Sequence, residues 1–236
     1  TTAMSSIYES GEYLKLHPSW HAEDSPWKAL QIQRILADNN VAPGSVCEIG
    51  CGAGVILQQL SQMIRSANEF VGYDISADAI GLAKSHEGSR LTFHHADLLA
   101  CESPPYDVVL AIDVFEHIED HLRFLRQLHQ RGRQFIFHIP LDLSLMSILR
   151  PRLLVDKRRM SGHLHYFTKD TALATLVDAG YTVLSWRYTR GGIEAPIQRV
   201  GYLPRAMREL RRAVAALSLD LAARTLGGFS LLVLAR

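Results

Sequence analysis

A chain of 236 residues that is 47% hydrophobic and 21% charged carries apolar material for one large α/β domain over residues 1–236 rather than two small ones. A formal net charge of +1 creates no global field toward a polyanion, which argues against nucleic acid as a partner. No early apolar run reads as a signal peptide and no apolar stretch of about 18 residues reads as a membrane span, so a cytoplasmic protein with no integral membrane segment is expected. The three cysteines, Cys47, Cys51 and Cys101, include no Cys-x-x-Cys pair, which argues against a disulfide framework or a zinc site.

Residues 1–40 read as an N-terminal cap. Ser25 followed by Pro26 is a helix-start signal, and the pattern predicts a helix from Trp27 to Asn39 with Leu30, Ile35 and Leu36 on one face. Tyr8, Tyr13, Trp20 and Trp27 lie near His17 and His21. Two readings stay open: a cap folding over a cationic ligand, since aromatic faces attract cations, or plain packing of the helix onto a sheet.

An apolar strand then runs into Glu48-Ile49-Gly50-Cys51-Gly52-Ala53-Gly54, and a helical pattern follows through Val55, Ile56, Leu60 and Met63. Strand, glycine turn and helix form the layout of a nucleotide-type site at the edge of a doubly wound sheet. Alternate glycines permit positive φ and close approach of a ligand, and helix-start N–H groups suit an anionic group. The spacing is not the dinucleotide G-x-G-x-x-G, and no Gly-Lys-Ser/Thr follows. A second strand, Phe70 to Ile75, places Asp74 twenty residues beyond Gly54. A carboxylate there accepts from ribose hydroxyls in such sites, or it caps the next helix, Ala77 to Ser85. A third strand, Leu91 to His95, leads into Ala96-Asp97-Leu98, where an acid can meet an adenine amine.

Pro104 and Pro105 precede Tyr106 to Asp113, an apolar run that predicts a strand buried on both faces. It continues through Val114-Phe115-Glu116-His117-Ile118 into a helix from Asp120 to Gln130, and the fifth strand is Phe135 to Pro140. Residues 141–165 then read as a lid over the mouth of the site. Arg150, Arg152, Lys157, Arg158 and Arg159 punctuate its leucines and suit either an anionic substrate or a solvated face. Thr168 caps a helix from Lys169 to Ala179 that ends at Gly180. His163 and His165 alternate along an extended segment and so face one side. A pair alone is too few ligands, and no metal is expected. The sixth strand is Tyr181 to Tyr188. A helical excursion over 190–228 carries Met207, Leu210, Val214, Leu217 and Leu221 at helical spacing, with Arg205, Arg208 and Arg212 off that stripe. It reads as a surface helix, a subunit contact, including that of a homodimer, or a weak membrane association. The last strand is Phe229 to Leu234.

Glu48 to Gly54, Tyr73-Asp74, Ala96-Asp97-Leu98, Asp113 to His117 and Asp178-Ala179-Gly180-Tyr181 resemble, in order and spacing, the class I S-adenosylmethionine (SAM)-dependent methyltransferases. The resemblance implies an α/β fold with a doubly wound, mainly parallel seven-stranded sheet. It implies a SAM site of Glu48, Gly50, Cys51, Gly52, Gly54, Asp74, Ile75, Asp97, Leu98, Ile112, Asp113 and Val114, to which the cap adds Trp20 and Trp27. In the family the glycine turn holds the methionine part, the acid matching Asp74 the ribose and the acid matching Asp97 the adenine. The residues matching Ile112 to His117 line a reaction chamber, which makes Glu116, His117, His138, His163, His165 and Tyr166 candidates for handling the acceptor; a neutral-pH base is expected among the histidines.

The expected function is methylation of a small-molecule acceptor by in-line displacement. Two alternatives remain at this level: closure of SAM's own methionine moiety to an azetidine with loss of methylthioadenosine, and a SAM-binding interaction subunit without catalysis.

Overall fold

The computed structural model describes residues 22–194 and 202–236. Seven strands form one sheet: β1 (Ser45–Ile49), β2 (Glu69–Asp74), β3 (Leu91–His95), β4 (Tyr106–Ile112), β5 (Gly132–Pro140), β6 (Val183–Thr189) and β7 (Ser230–Ala235). Their order is β3-β2-β1-β4-β5-β7-β6. The first five strands pair in parallel, and β7 runs antiparallel between β5 and β6. The mainly parallel sheet expected from the alternating pattern is what forms, with the antiparallel strand as its departure.

Period-2 alternation divides the strand residues between two cores. Cys47, Ile49, Val109, Ala111, Phe135, Phe137 and Ile139 face one side. There they meet Phe124, Leu125 and Leu128 of α4 (His121–Leu128) and Ala172 and Leu176 of α7 (Lys169–Asp178). Val46, Val108, Leu110, Ile112 and Ile136 face the other side. They pack on Ile32, Ile35 and Leu36 of α1 (Ser25–Asp38), Leu57 and Leu60 of α2 (Val55–Met63) and Ile80 of α3 (Ala77–Ala83). Because β4 is covered on both faces, its apolar run is continuous instead of alternating with polar residues.

The order reverses between β1 and β4, whose connections leave toward opposite faces, and this opens a crevice at the carboxyl ends of the strands. After β5 the chain forms α5 (Leu145–Leu149) and α6 (Arg152–Ser161). The short α8 (Gly191–Glu194), α9 (Tyr202–Leu217) and α10 (Leu219–Leu226) occupy the excursion before β7. Among the described residues no helix is long and apolar enough to cross a membrane.

Three local expectations are corrected. Ser25 is the first helical residue of α1 rather than its cap; Asp24 holds the cap position but its side chain accepts from no backbone N–H of the helix, and Pro26 sits in the first turn. The excursion helix is two helices, because the Ser218 side chain accepts from Leu221 N and restarts the chain as α10. The leucine stripe is therefore split: Val214, Ala215, Ala222 and Ala223 are the residues that pack near Phe229, while Leu210, Leu217 and Leu221 stay exposed. On α1, Ala29 and Ile32 are buried and Leu30 only partly so.

Leu110 is fully buried at the centre of β4. Leu110→Ala removes its side chain from a site walled by sheet and helices, so urea unfolding should register a loss of about 2–5 kcal/mol without loss of the native circular dichroism spectrum at low denaturant.

Candidate active site

An open cleft of about 1150 Å³ runs along the carboxyl ends of β1, β2 and β4. Drug-sized ligands fill pockets of roughly 300–1,000 Å³, so the cleft has room for a nucleotide-sized cofactor and a second small molecule.

One half is built on the glycine turn. Gly50, Gly52 and Gly54 have φ of 68°, 53° and 75°, the left-handed region that favours glycine. A Cβ on Gly50 would lie 2.9 Å from Val114 Cγ2, and one on Gly54 2.5 Å from the Phe93 ring, so the turn is pressed against β3 and the β4 end. Gly50 N and Cys51 N donate to Tyr73 O. Asp74, buried at the end of β2, accepts from Gly52 N through Oδ2 at 2.9 Å and from Ser76 N through Oδ1 at 2.8 Å. It thus pins the turn, while Ser76, not Asp74, caps α3. Burial pushes the Asp74 carboxyl up and the two N–H donors oppose that shift.

Glu48 is 1% exposed at the end of β1, and its Oε2 has no hydrogen-bond partner among the described residues. Burial raises its carboxyl well above the usual range, with Lys28 opposing and Asp74 adding to the rise.

Asp113 follows β4 at φ 54°, a conformation Asp tolerates better than most residues. Its Oδ2 lies 2.9 Å from Lys28 Nζ, and its Oδ1 meets His138 Nδ1 at 2.6 Å. The other nitrogen of His138 meets Thr189 Oγ1 at 2.8 Å. Lys28 also pairs with Asp24 at 3.1 Å. Burial alone would raise the Asp113 carboxyl, but His138 and Lys28 outweigh it and hold the group well below the usual carboxylate range. Burial likewise works against the Lys28 ammonium, and Asp113 and Asp24 more than restore it. One acid therefore ties α1, β4, β5 and, through Thr189, β6.

The other half of the cleft is lined by His117, His163, His165, Lys157 and Arg158. His163 Nδ1 lies 2.6 Å from Asp142 Oδ2, and Lys157 Nζ lies 2.5 Å from the other oxygen of Asp142. Burial and the neighbouring His163 lower the His117 pKa to about 4, against an opposing hydrogen bond to the Gly162 backbone, so this imidazole is neutral at pH 7.

A family model described as a methyltransferase domain matches residues 20–185, well over half of the chain. The chain belongs to that family. Among curated relatives, the ubiquinone biosynthesis O-methyltransferase of Rhodopseudomonas palustris (strain BisA53) is 35% identical over 91 residues, which are 37% of this chain and 35% of that protein. The protein of the same description from Methylococcus capsulatus is 31% identical over 97 residues, 39% of this chain and 40% of its own length. The match thus spans well under half of those relatives. Solved folds agree with the family. The magnesium protoporphyrin IX methyltransferase of Synechocystis PCC 6803, determined with bound SAH, aligns at a TM-score of 0.58 with 17% identity, covering 89% of this chain and 82% of that one. A SAM-dependent methyltransferase from Mesorhizobium loti aligns at 0.56 with 19% identity, covering 90% and 97%.

Within this methyltransferase fold the expected residues divide clearly. Glu48, Gly50, Cys51, Gly52, Asp74, Ile75, Asp97, Leu98, Ile112, Asp113, Val114 and Trp27 all line the cleft. Gly54 does not; it is the left-handed residue that starts α2. Asp97 accepts from Leu99 N at 2.9 Å and remains exposed. Trp27 sets its ring edge-on to His138, 6.5 Å between centroids, and donates from Nε1 to Glu194. Trp20, with Tyr8, Tyr13, His17 and His21, lies outside the described residues.

The chamber candidates separate further. His138 lines the cleft, yet both its nitrogens are engaged, so it is a positioned histidine rather than an open base. His163 and His165 both line the cleft but take different partners: His163 turns to Asp142, whereas His165 donates from Nε2 to the carbonyls of Ile118 and Glu119 and lies against the His121 ring. Tyr166 donates to Leu154 O, away from the cleft. Glu116 is 1% exposed and sits behind the wall formed by His117 and His163. Lys28, Asp142 and Thr189 carried no sequence motif, since each has a deciding partner remote in the chain: Asp113 for Lys28, His163 for Asp142 and His138 for Thr189.

Asp113→Asn keeps a side chain suited to the left-handed backbone while removing the charge. Because Asp113's folded pKa is depressed, its contribution is present above the unfolded value near 4 and is lost as pH falls through and below it. At pH 7 the variant should be about 1–3 kcal/mol less stable, a figure reduced for a side chain that is one-quarter exposed. Urea titrations at several pH values should show the gap closing below about pH 4.

Proposed function

We propose that the chain transfers a methyl group from SAM to a small-molecule acceptor held under segment 141–165, leaving S-adenosylhomocysteine. The observation that carries this reading is the joining, in one cleft, of a pinned glycine turn with a second compartment of imidazoles and cations. The family and the O-methyltransferase relatives favour methyl transfer over the ring-closing and non-catalytic readings.

When bound, SAM supplies a methyl group made electrophilic by its sulfonium centre. The residues present fit such a cofactor. Glu48 offers a buried carboxylate oxygen that still lacks a partner, suited to an ammonium group. The turn at Gly50 and Gly52 leaves the backbone open to close approach. Asp74 is oriented by its two N–H donors and retains acceptor capacity for ribose hydroxyls. Asp97 stands at the next strand end for the adenine.

His163 is the chamber residue best arranged to activate an acceptor. Its Nδ1 is bonded to Asp142, which fixes the ring and leaves Nε2 for a proton of the acceptor. Asp142 is itself held by Lys157. Lys157 and Arg158 line the same compartment, which favours an acceptor bearing an acidic group. The segment over this compartment has the makings of a lid: α6 contains no buried residue, and its main ties are the Lys157–Asp142 pair and the Tyr166 bond to Leu154 O.

Two measurements test this. Asp74→Ala should weaken SAM binding by roughly ten-fold or more in calorimetry on folded protein, the effect of about 1.5–3 kcal/mol for a charge-assisted bond. Purified chain given SAM alone should turn over little, and adding an extract that contains the acceptor should yield S-adenosylhomocysteine. Methylthioadenosine accumulating from SAM alone, above the uncatalysed rate, would overturn methyl transfer in favour of ring closure. Tight SAM binding with neither product in any arm would point to the non-catalytic reading.

A further inference from the structure

Behind the acceptor compartment, Glu116, His117 and His163 bring one ligand atom each to within 4.8 Å of one another. His117 Nε2 and Glu116 Oε1 are already 3.8 Å apart, and the rings of His117 and His163 meet edge-on at 4.8 Å between centroids. These three come from two places in the chain, the turn after β4 and the extended segment after α6. Backbone bonds splice those places together, since Leu164 N and His165 N both donate to Glu116 O at 2.8 and 3.1 Å.

Glu116 is the anomaly. It is 1% exposed, and neither carboxylate oxygen has a hydrogen-bond partner among the described residues. A buried carboxyl without a donor is costly, and such a group takes up a proton unless it is paired or given to a metal. Lys28 is committed to Asp113 and Asp24, and Lys157 to Asp142. Neither lysine makes an ion pair with Glu116.

We propose that Glu116, His117 and His163 form a site for one divalent transition-metal ion of the zinc type, with a fourth position open to the acceptor's oxygen. Two imidazoles and one carboxylate suit zinc, iron or cobalt better than magnesium or calcium, which prefer oxygen ligands throughout. Three protein ligands with an open position are the arrangement of a site that binds substrate, whereas a structural zinc site is closed by four. The supporting contacts are also those of a metal centre. A ligating histidine ordinarily gives its other ring nitrogen to a carboxylate or a backbone carbonyl. His163 does so: its Nδ1 meets Asp142 Oδ2 at 2.6 Å. Around an ion with bonds of about 2.1 Å, tetrahedral ligands stand roughly 3.4 Å apart, so the widest separation in the trio, at most 4.8 Å, must close by up to about 1.4 Å, within reach of side-chain rotation.

This deepens the methyl-transfer reading and rests on it for the identity of the fourth ligand. With an ion in place His163 Nε2 serves as a ligand instead of a proton acceptor; a hydroxyl bound to the ion would release its proton to water in the open cleft more readily, and the oxygen would then take the methyl group. The acceptor class is then a small molecule with a hydroxyl able to coordinate a metal. Binding itself does not depend on that reading, and the test keeps the two apart.

The full chain, stripped with chelator, is titrated with Co²⁺ as the spectroscopic probe and with Zn²⁺ by calorimetry, and bound metal is counted by mass spectrometry. One equivalent of Co²⁺ with the visible bands of a four- or five-coordinate site is expected. Glu116→Gln and His163→Ala should each lower the affinity at least ten-fold and erase those bands. Asp142→Asn, acting through His163, should lower it about ten- to a hundred-fold with the bands retained. His121→Ala, beside His165 but outside the trio, should leave affinity unchanged. SAM affinity and circular dichroism identify any variant that has lost its fold, and the isosteric Glu116→Gln and Asp142→Asn changes guard against that outcome. Absence of stoichiometric binding, or binding that persists in both Glu116→Gln and His163→Ala, overturns the site. Loss of turnover in His163→Ala without any metal binding would leave His163 as a proton acceptor. Metal binding in a chain that never forms S-adenosylhomocysteine would keep the site and remove methyl transfer.

Discussion

The carboxylate of Asp113 is the constraint on which the site depends. It stands just past β4, a strand covered on both faces, in a left-handed conformation that costs on the order of 1–2 kcal/mol for a residue with a Cβ. That cost is offset because the turn aims one oxygen at Lys28 and the other at His138. Sheet order alone leaves α1 free to pivot on its apolar face. The Lys28–Asp113 pair fixes its first turn over the strand ends, and this brings Trp27 to the rim of the cleft. Through Thr189, the same acid and His138 reach β6, across the antiparallel β7. The parallel and antiparallel parts of the sheet are thereby tied at the end where the chemistry belongs.

Asp74 performs the corresponding task on the other side. Its two oxygens take the N–H groups of Gly52 and Ser76, so the glycine turn and the start of α3 move as one body. The walls of the cleft are therefore rigid, set by buried charges and backbone bonds. The segment over 152–161 differs, for Leu153, Val155 and Met160 of α6 are exposed and the helix contains no buried residue.

The cleft is also notable for buried acids. Glu48, Asp74 and Glu116 all have carboxyls raised by loss of water, and Asp113 escapes that rise through its two basic neighbours. Such a surface has unmet demand for positive charge. On one side that demand fits a cofactor carrying an ammonium and a sulfonium. On the other it falls at Glu116, where the nearest ligating groups are two imidazoles.

Parts whose physics is local could be read from the residues alone. Apolar runs with the right periods placed the strands to within a few residues, and three alternate glycines required the left-handed turn that forms. Asp74 was legible because a carboxylate one strand past such a turn has a fixed place in a doubly wound sheet. Thr168 was legible as a cap because its partner is Thr171, three residues on. Tertiary structure decided everything that depends on partners remote in the chain. His138 reads as an available base until Asp113 and Thr189 occupy both its nitrogens, 25 and 51 residues away. His163 and His165, two residues apart, diverge because Asp142 takes one and the Ile118 and Glu119 carbonyls take the other. Lys28, an ordinary helix lysine by sequence, becomes a core ion partner only when α1 docks on the sheet. Periodicity and turn chemistry act between near neighbours, whereas burial of charge is settled by whichever segments the fold brings together.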